Sequence, residues 1–353
     1  MNISCIKNLK IEAIGACVPS NIVENRQFAK EHFSDDLENT IKALGIDQRH
    51  ICRSDKSTAL DLSIEAAKNL FTNTSINPSE IGGIVFVTLT PDNLMPNNAS
   101  LAQHLLNLPQ SIPAFDINHA CSGYVYGLWI SSLMAQNINK KVLLLDGDTN
   151  SKYVSPWDKS TGLLFGDAGS ATIVSCSDEP SEWFFTFETD GSNRDALIIP
   201  GIGFRHLLTP ESLKYMSYED GSRRRFIDMY MKGEDVFGYV VTKVPKIINS
   251  FLEELELSSE EFDFLLLHQA NAFMLRKLAR KINFNSEKMP ISINKFGNTS
   301  SVSIPLNICS EISNKLSQPS KALLVGMGAG LSTGAAVIQL GPTYCSGVKE
   351  IDI

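Results

Sequence analysis

The sequence has few cysteines, and none stands in the arrangements that metal-binding or disulfide-rich proteins use. Seven cysteines are spread over 353 residues. They include no Cys-x-x-Cys pair and no Cys/His cluster at zinc spacing. Neither a disulfide framework nor a structural metal is indicated, and a reducing cytoplasm is the simplest compartment for such a chain.

The chain also lacks an excess of positive charge and any long apolar run. Its formal net charge of -8 argues against a protein that coats nucleic acid. No stretch approaches the roughly 18 apolar residues that span a bilayer, and Lys7, Lys10 and Glu12 interrupt any signal-peptide core. We expect a globular, unexported, cytoplasmic protein that binds neither nucleic acid nor membrane.

The sequence does contain an internal repeat. Segments 76–87 and 257–267 each place a polar turn before a short apolar strand, 181 positions apart. Segments 141–145 and 321–325 form a second pair at an offset of 180, and the region around Cys121 then aligns with the region around Ser301. A constant offset across three elements indicates a duplicated unit.

Within each half, short apolar strands alternate with helical patterns, which is typical of an α/β fold. Continuous apolar runs such as 84–87 and 264–267 favour sheets that are covered on both faces. We therefore predict two layered halves, residues 1–178 and 226–353. The Gly-, Pro- and charge-rich segment 179–225 is predicted to cross the surface between them.

Three side chains suited to acyl chemistry lie where strands are predicted to end. Cys121 precedes an apolar helical pattern, so the helix dipole should lower the thiol pKa, although many free cysteines only fill space. His268 follows the strand 264–267, where an imidazole can act as donor or base. Asn298 can donate two N–H bonds, although Gly-Asn is also a common turn.

Two glycine-rich segments are predicted to bring the backbone close to other groups. Segment 326–334, Gly-Met-Gly-Ala-Gly-Leu-Ser-Thr-Gly, lacks the Lys-Ser/Thr ending of a phosphate loop. Its glycines are expected to let the backbone approach a thioester, with an N–H aimed at the thioester oxygen. In the second, Gly166-Asp-Ala-Gly, Asp167 is expected to orient the turn by accepting backbone hydrogen bonds.

These motifs together resemble those of the β-ketoacyl-acyl carrier protein synthase III family of the thiolase superfamily. The resemblance spans nearly the whole chain and rests on five ordered blocks. They are Asp116-Ile-Asn-His-Ala-Cys121-Ser-Gly, Phe165-Gly-Asp-Ala-Gly-Ser, His268-Gln-Ala-Asn271, Gly297-Asn298-Thr-Ser and Gly326-Met-Gly-Ala-Gly330. The resemblance implies a homodimer with a thiolase-like, duplicated five-layer α/β/α/β/α sandwich, which agrees with the repeat.

The resemblance also implies a reaction, the decarboxylating Claisen condensation of an acyl thioester with malonyl-acyl carrier protein. Cys121 takes the acyl group, and His268 and Asn298 hold the malonyl thioester oxygen while carbon dioxide leaves. The enolate then attacks acyl-Cys121, whose oxyanion meets the backbone N–H groups of Cys121 and Ala329. The substrates are acyl-coenzyme A or acyl-carrier and malonyl-carrier thioesters, and neither a metal nor a redox cofactor is needed.

A substrate pocket and a carrier-docking surface follow from the same resemblance. Leu164, Phe165 and Asn271 belong to the implied pocket, and Met95 falls where a dimer partner inserts a residue into the neighbouring acyl tunnel. A basic cluster on the helix after His268 would suit an acidic acyl carrier protein, although a solvated helix face has the same pattern. The cluster comprises Arg276, Lys277, Arg280 and Lys281.

The chain departs from the family pattern at two places. The typical enzyme clasps the adenine of coenzyme A with a Trp and an Arg, whereas this chain reads Asn-Thr-Ile-Lys-Ala-Leu-Gly-Ile over 39–46. Without the aromatic stack and the guanidinium, the donor is held differently or is itself a carrier thioester. His119 is unusual beside the nucleophile, where it would alter thiolate stability or point away.

Two other functions stay open from the sequence. An acyltransferase or secondary-metabolite synthase of the same family would pass the acyl group from Cys121 to a different nucleophile, and the missing Trp/Arg pair motivates this alternative. A catalytically silent, carrier-binding subunit is the alternative of another class. Carbon dioxide release from malonyl separates condensation from acyl transfer, and the absence of any acyl-enzyme would favour the silent subunit.

Overall fold

The computed structural model describes residues 1–53 and 57–352. The strands in this part of the chain are β1 (Ile3–Lys7), β2 (Leu9–Pro19), β3 (Ile22–Glu24), β4 (Gln48–His50), β5 (Ile81–Val87), β6 (Ala114–Ile117), β7 (Lys141–Asp148), β8 (Ala168–Cys176), β9 (Glu182–Thr189), β10 (Leu197–Ile198), β11 (Met216–Ser217), β12 (Arg223–Arg224), β13 (Tyr230–Met231), β14 (Phe264–Leu267), β15 (Ser320–Gly328), β16 (Ser332–Leu340) and β17 (Tyr344–Ile351). The α-helices are α1 (Asn25–His32), α2 (Glu38–Leu44), α3 (Ala59–Asn73), α4 (Asn98–Leu105), α5 (Gly123–Ile138), α6 (Gly233–Thr242), α7 (Val244–Glu254), α8 (Ala272–Lys281), α9 (Ile293–Phe296) and α10 (Ser303–Glu311).

Two mixed sheets carry the duplication that the sequence predicts. The first has the strand order β17-β2-β8-β7-β5-β6, and the second has the order β1-β9-β16-β15-β14. In both sheets a parallel pair, β5 with β7 or β14 with β15, is followed by antiparallel neighbours. Strands that correspond in the sequence repeat therefore occupy corresponding places in the two sheets.

The turns that lead into β5 and β14 show why the repeat folds the same way twice. Before β5, the Asn77 N–H donates to the Glu80 carboxylate at 2.8 Å, in a capping box. Before β14, the Ser258 N–H donates to the Glu261 carboxylate at 2.8 Å in the same arrangement. Both turns satisfy their free backbone donors locally, so each ends at a defined residue and starts a buried strand.

The helices and sheets form five layers. Helices α3 and α4 cover the outer face of the first sheet, and α6, α7 and α8 cover the outer face of the second. Helices α5 and α10 lie between the sheets and contact strands of both. The predicted five-layer α/β/α/β/α sandwich is therefore confirmed, with α5 and α10 in its central layer.

The sheets draw strands from more than one of the predicted segments. Strand β1 from segment 1–178 and β9 from segment 179–225 complete the second sheet, while β17 from segment 226–353 completes the first. The segment between β9 and α6 contains two short 3-10 helices and two pairs of short strands, β10 with β13 and β11 with β12. Of the helices in residues 1–53 and 57–352, none is long and apolar enough to cross a membrane.

Candidate active site

Cys121 lies in the turn between β6 and α5, in the layer between the two sheets. Helix α5 begins at Gly123, so the thiol precedes the helix by two residues. The side chain is only 5% exposed. A Cβ atom at Gly328 would lie 2.7 Å from the Cys121 Cβ and 2.9 Å from its Sγ. Only glycine allows this close approach, so the segment 326–334 brings its backbone against the thiol.

The environment of Cys121 acts on its pKa against the predicted direction. Burial, with a smaller contribution from the Asp148 carboxylate, raises the pKa of the thiol to about 12. The Ser300 hydroxyl and the N–H groups of Cys121 and Ala329 lower the pKa without offsetting burial. The prediction of a lowered pKa is therefore wrong, because desolvation outweighs the donors at the helix end. The resting thiol is protonated, and its attack on a thioester requires an acceptor for the proton.

His268 follows β14 directly and is 1% exposed. Its Nδ1 lies 2.7 Å from the Ser303 Oγ and 3.0 Å from the Ser300 carbonyl oxygen. Burial lowers the pKa of the imidazole to about 4, although the Ser300 carbonyl opposes this shift. The ring is therefore neutral at pH 7, and Nε2 is the nitrogen left for a ligand.

Asn298 is held by its backbone and by its amide oxygen. Its N–H donates to the Leu164 carbonyl at 2.9 Å, and its own carbonyl accepts from the Gly166 N–H at 3.1 Å. The Ser300 N–H donates to its Oδ1 at 2.9 Å. Gly297 has a φ of 69°, which favours glycine and permits the turn. This arrangement leaves the Asn298 Nδ2 to donate to a ligand.

Cys121 lies at the junction of two cavities. A narrow one of about 50 Å³ is lined by Cys121, His268 and Asn298 together with Leu164, Phe165 and Asn271. A larger one of about 630 Å³ is lined by Cys121 and Phe165, by polar side chains such as Asn118 and Asn150, and by apolar side chains. These include Leu89, Ile198, Ile202 and Met229. The structure thus brings the three predicted catalytic side chains and three predicted pocket residues to one cavity.

Met95 and the basic cluster lie on the surface. The Met95 side chain is 86% exposed and, among the described residues, it is absent from the linings of both cavities of its own chain. The four basic side chains of α8 are exposed on one side of the helix, and Lys277 lies 5.9 Å from the Phe273 ring. Within residues 1–53 and 57–352, none of the four forms a salt bridge.

Other predicted residues have local structural roles. Asp167 accepts the N–H groups of Ser151 at 3.0 Å and Cys52 at 2.9 Å, so the prediction that it orients its turn is confirmed. Asn271 caps α8 by accepting the Met274 N–H at 2.8 Å. The ring of His119 lies 4.1 Å from that of Tyr126 at a tilt of 33°, and its Nδ1 lies 3.3 Å from the Ser122 Oγ.

Sequence reasoning missed a buried carboxyl pair and the serines beside it. The Ser301 hydroxyl lies 2.5 Å from the Asp146 Oδ1 and 3.3 Å from the Asp148 Oδ2. Ser300, next along the chain, has a φ of 54°. The available signals were the Asp-Gly-Asp at the end of a buried strand and the run of serines after Asn298.

The buried carboxyl pair predicts a pH dependence of stability. Burial raises the pKa of Asp148 from 3.8 to about 6, and burial and the neighbouring Asp148 raise that of Asp146. Between pH 3.8 and about pH 6, the Asp148 carboxyl of the folded protein keeps a proton that the unfolded chain has lost. The free energy of unfolding should therefore fall as pH rises through this range, by about 3 kcal/mol from Asp148.

Denaturant unfolding of wild type and Asp148→Asn across this pH range measures the effect. The variant, which lacks the ionisable group, should show the shallower fall in unfolding free energy with rising pH. Equal slopes in the two proteins would contradict the buried-carboxyl account.

Comparison with known proteins identifies the family. The family model of 3-oxoacyl-[acyl-carrier-protein (ACP)] synthase III matches residues 115–191, and the model of its C-terminal part matches residues 252–340. The β-ketoacyl-[acyl-carrier-protein] synthase III of Lactococcus lactis is 32% identical over 94% of this chain and 99% of its own length. The chain belongs to the β-ketoacyl-acyl carrier protein synthase III family. It is thus an acyltransferase that catalyses the synthase III condensation, as the sequence motifs predict.

Other synthase III relatives agree in sequence and in fold. A putative 3-oxoacyl-[acyl-carrier-protein] synthase 3 of Campylobacter jejuni is 33% identical over 96% of each chain. The crystal structure of 3-oxoacyl-(acyl-carrier protein) synthase from Burkholderia xenovorans superimposes with a TM-score of 0.92, at 32% identity and 99% coverage of both chains. The first family match contains Cys121 and Phe165, and the second contains His268, Asn298 and Ala329.

Proposed function

We propose that Cys121 carries the acyl group of this condensation and that His268 and Asn298 promote the decarboxylation of malonyl-acyl carrier protein. The observation that supports these roles is the narrow cavity, which Cys121, His268 and Asn298 line together. The thiol is the only strong nucleophile of the three. The other two side chains are neutral and buried, as suits donors to a developing negative charge.

The proposed reaction has two half-reactions. In the first, the Cys121 sulfur forms a bond to the acyl carbon, and the donor thiolate leaves with the proton that Cys121 loses. In the second, the bond between the malonyl α-carbon and its carboxylate breaks and carbon dioxide leaves. The electron pair is delocalised onto the thioester oxygen, which accepts hydrogen bonds from the Asn298 Nδ2 and the His268 Nε2.

The enolate carbon then attacks the acyl-Cys121 carbonyl. The N–H groups of Cys121 and Ala329, which already act on the thiol, stabilise the tetrahedral oxyanion. The β-ketoacyl thioester forms when the Cys121 sulfur departs and regains a proton. We assign the narrow cavity, with Leu164, Phe165 and Asn271, to the thioester arm and the 630 Å³ cavity to the acyl group.

Product analysis tests this function directly. The protein is incubated with acyl-coenzyme A donors and malonyl-acyl carrier protein, and β-ketoacyl-carrier is detected by mass spectrometry. Formation of this product with equimolar carbon dioxide supports the two half-reactions. Acyl transfer to another nucleophile without carbon dioxide release would contradict the condensing role proposed for His268 and Asn298.

We also propose that the protein works as a cytoplasmic homodimer. Strand β6 lies at the edge of the first sheet, where β5 is its one neighbour among the described strands. Nearby on the chain, Leu94 and Met95 are 82% and 86% exposed, which is unusual for large apolar side chains. A partner subunit would cover these groups and bring Met95 to the neighbouring acyl cavity. Sedimentation equilibrium that showed only monomer would contradict this assembly.

The basic cluster on α8 is the proposed carrier-docking surface. Reversing two charges with Arg276→Glu and Arg280→Glu should raise the KM for malonyl-acyl carrier protein by roughly 10-fold or more at low salt. The kcat should change little, because neither side chain lines the catalytic cavity. Steady-state kinetics at two ionic strengths checks this, and the difference from wild type should shrink as salt rises.

Lys140→Glu provides the matched control for the carrier surface. Lys140 is exposed in the turn after α5 and lies outside the α8 cluster. Lys140→Glu changes the net charge by the same amount as each of the two arginine substitutions. It should leave the KM for the carrier near that of wild type. An equal rise in KM for both reversals would mean that net charge rather than the α8 cluster controls binding.

A further inference from the structure

His268 has two neighbours at Nδ1 that make opposite demands on the imidazole proton. The Ser300 carbonyl oxygen, at 3.0 Å, can only accept a hydrogen bond. It therefore favours the tautomer with the proton on Nδ1. The Ser303 hydroxyl, at 2.7 Å, can donate, and then Nδ1 must be unprotonated. The neutral ring has one N–H to distribute, so the two neighbours compete for its tautomer.

The Ser303 hydroxyl is set up to donate to Nδ1. Its oxygen accepts the backbone N–H of Gln269 at 3.2 Å, which uses acceptor capacity and leaves its own hydrogen for another partner. The side chain is 1% exposed. Ser303 is also the first residue of α10, which lies between the sheets and holds the hydroxyl in place. Among the described residues, this hydroxyl has two hydrogen-bond partners, the Gln269 backbone N–H and the His268 Nδ1.

The tautomer decides what His268 can do for the reaction. With the proton on Nδ1, Nε2 presents a lone pair, which repels the negative charge that develops on the malonyl thioester oxygen. With the proton on Nε2, the ring donates a hydrogen bond to that oxygen. The ring cannot carry a proton on both nitrogens near pH 7, because burial lowers the imidazole pKa to about 4.

We propose that Ser303 is a positioning residue that donates its hydroxyl hydrogen to the His268 Nδ1 and thereby keeps the imidazole proton on Nε2 for decarboxylation. This inference rests on the proposed role of His268 as a donor to the malonyl thioester. No proton changes place in the step: the Nε2–H stays on the ring while the carbon–carboxylate bond breaks. The Ser300 carbonyl is the competing group that takes over when Ser303 cannot donate.

The two half-reactions should respond differently to Ser303. In the proposed acylation the departing donor thiolate takes the Cys121 proton and the His268 Nε2 takes no part, so acylation should not depend on this tautomer. Decarboxylation does depend on it. Ser303→Ala should therefore form acyl-Cys121 at nearly the wild-type rate, while carbon dioxide release from malonyl-acyl carrier protein falls roughly 10- to 100-fold.

The test combines kinetics with a direct readout of the ring. Intact-protein mass spectrometry follows acylation, radiolabelled malonyl-carrier follows decarboxylation, and imidazole nitrogen chemical shifts report which His268 nitrogen carries the proton. Ser303→Thr keeps a hydroxyl and should restore much of the decarboxylation. Ser132→Ala is the control, since it removes a buried helical hydroxyl that bonds the Leu128 carbonyl instead.

The result expected is an Nε2–H signal in wild type and an Nδ1–H signal in Ser303→Ala, with acylation retained. An Nδ1–H signal in the wild-type protein overturns the proposal without reference to any variant. So does wild-type decarboxylation by Ser303→Ala. If His268→Gln decarboxylates normally, the proposed role of His268 is wrong. If His268→Gln is impaired and Ser303→Ala is not, only the proposed role of Ser303 is wrong.

Discussion

Cys121→Ala should abolish the acyl-enzyme and lower condensation by at least about 1,000-fold. The acyl group has to form a covalent bond to a nucleophile, and Cys121 is the one nucleophile among residues 1–53 and 57–352 that lines both the narrow and the 630 Å³ cavities. Two backbone N–H groups also act on its sulfur. Alanine removes the sulfur and leaves the small side chain that the close approach of Gly328 requires. Intact-protein mass spectrometry after incubation with an acyl-coenzyme A measures the loss.

Cys17→Ala is the matched control for this substitution. Cys17 is a buried cysteine of β2 that belongs to the core between the first sheet and α3. Its removal deletes a buried thiol of equal size and should leave acylation intact. An acyl adduct that survives in Cys121→Ala but disappears in Cys17→Ala or another cysteine variant would move the nucleophile elsewhere.

Asn298→Asp should separate the two half-reactions. The aspartate keeps the shape of the side chain and still accepts the Ser300 N–H that fixes the Asn298 Oδ1. It replaces the Nδ2 donor by a second oxygen, which stabilises no charge on the thioester. We expect acyl-Cys121 to form about as in wild type while malonyl decarboxylation falls roughly 100- to 1,000-fold. Radiolabelled carbon dioxide release measures the second step alone.

Asn271→Asp controls for the added carboxyl group in the same cavity. Aspartate caps a helix as well as asparagine does, so α8 keeps the bond from the Met274 N–H. This variant should reduce decarboxylation far less than Asn298→Asp. Equal losses would show that any negative charge in the narrow cavity inhibits the reaction, and the specific donor role of Asn298 would fail.

Much of the fold could be predicted because its information is local and repeated. The polar turns before β5 and β14 carry the same capping arrangement, and the apolar strands after them are buried along their whole length, as in a sheet covered on both faces. The constant offset along the chain then indicated the duplication that both sheets show. The exchange of β1 and β17 between sheets was not visible, since edge strands carry no distinctive pattern.

The sequence predicted three side chains that line the narrow cavity, but it did not predict their environment. Cys121, His268 and Asn298 stand in ordered motifs, but the Cys121 pKa depends on complete burial and on Asp148, which approaches from another strand. The contacts of Ser303 and Ser300 with His268 likewise join residues more than thirty positions apart. Such contacts arise only when α10 packs between the sheets, so a local reading of the sequence misses them.

The most direct test of the central claim is discharge of the acyl-enzyme. Acyl-Cys121 is formed, freed of donor and mixed with malonyl-acyl carrier protein, and the enzyme mass is followed against time beside carbon dioxide release. The account predicts that each acyl-enzyme that loses its adduct yields one carbon dioxide and one β-ketoacyl-carrier. An adduct that persists with malonyl-carrier, or that is lost without carbon dioxide, would contradict it.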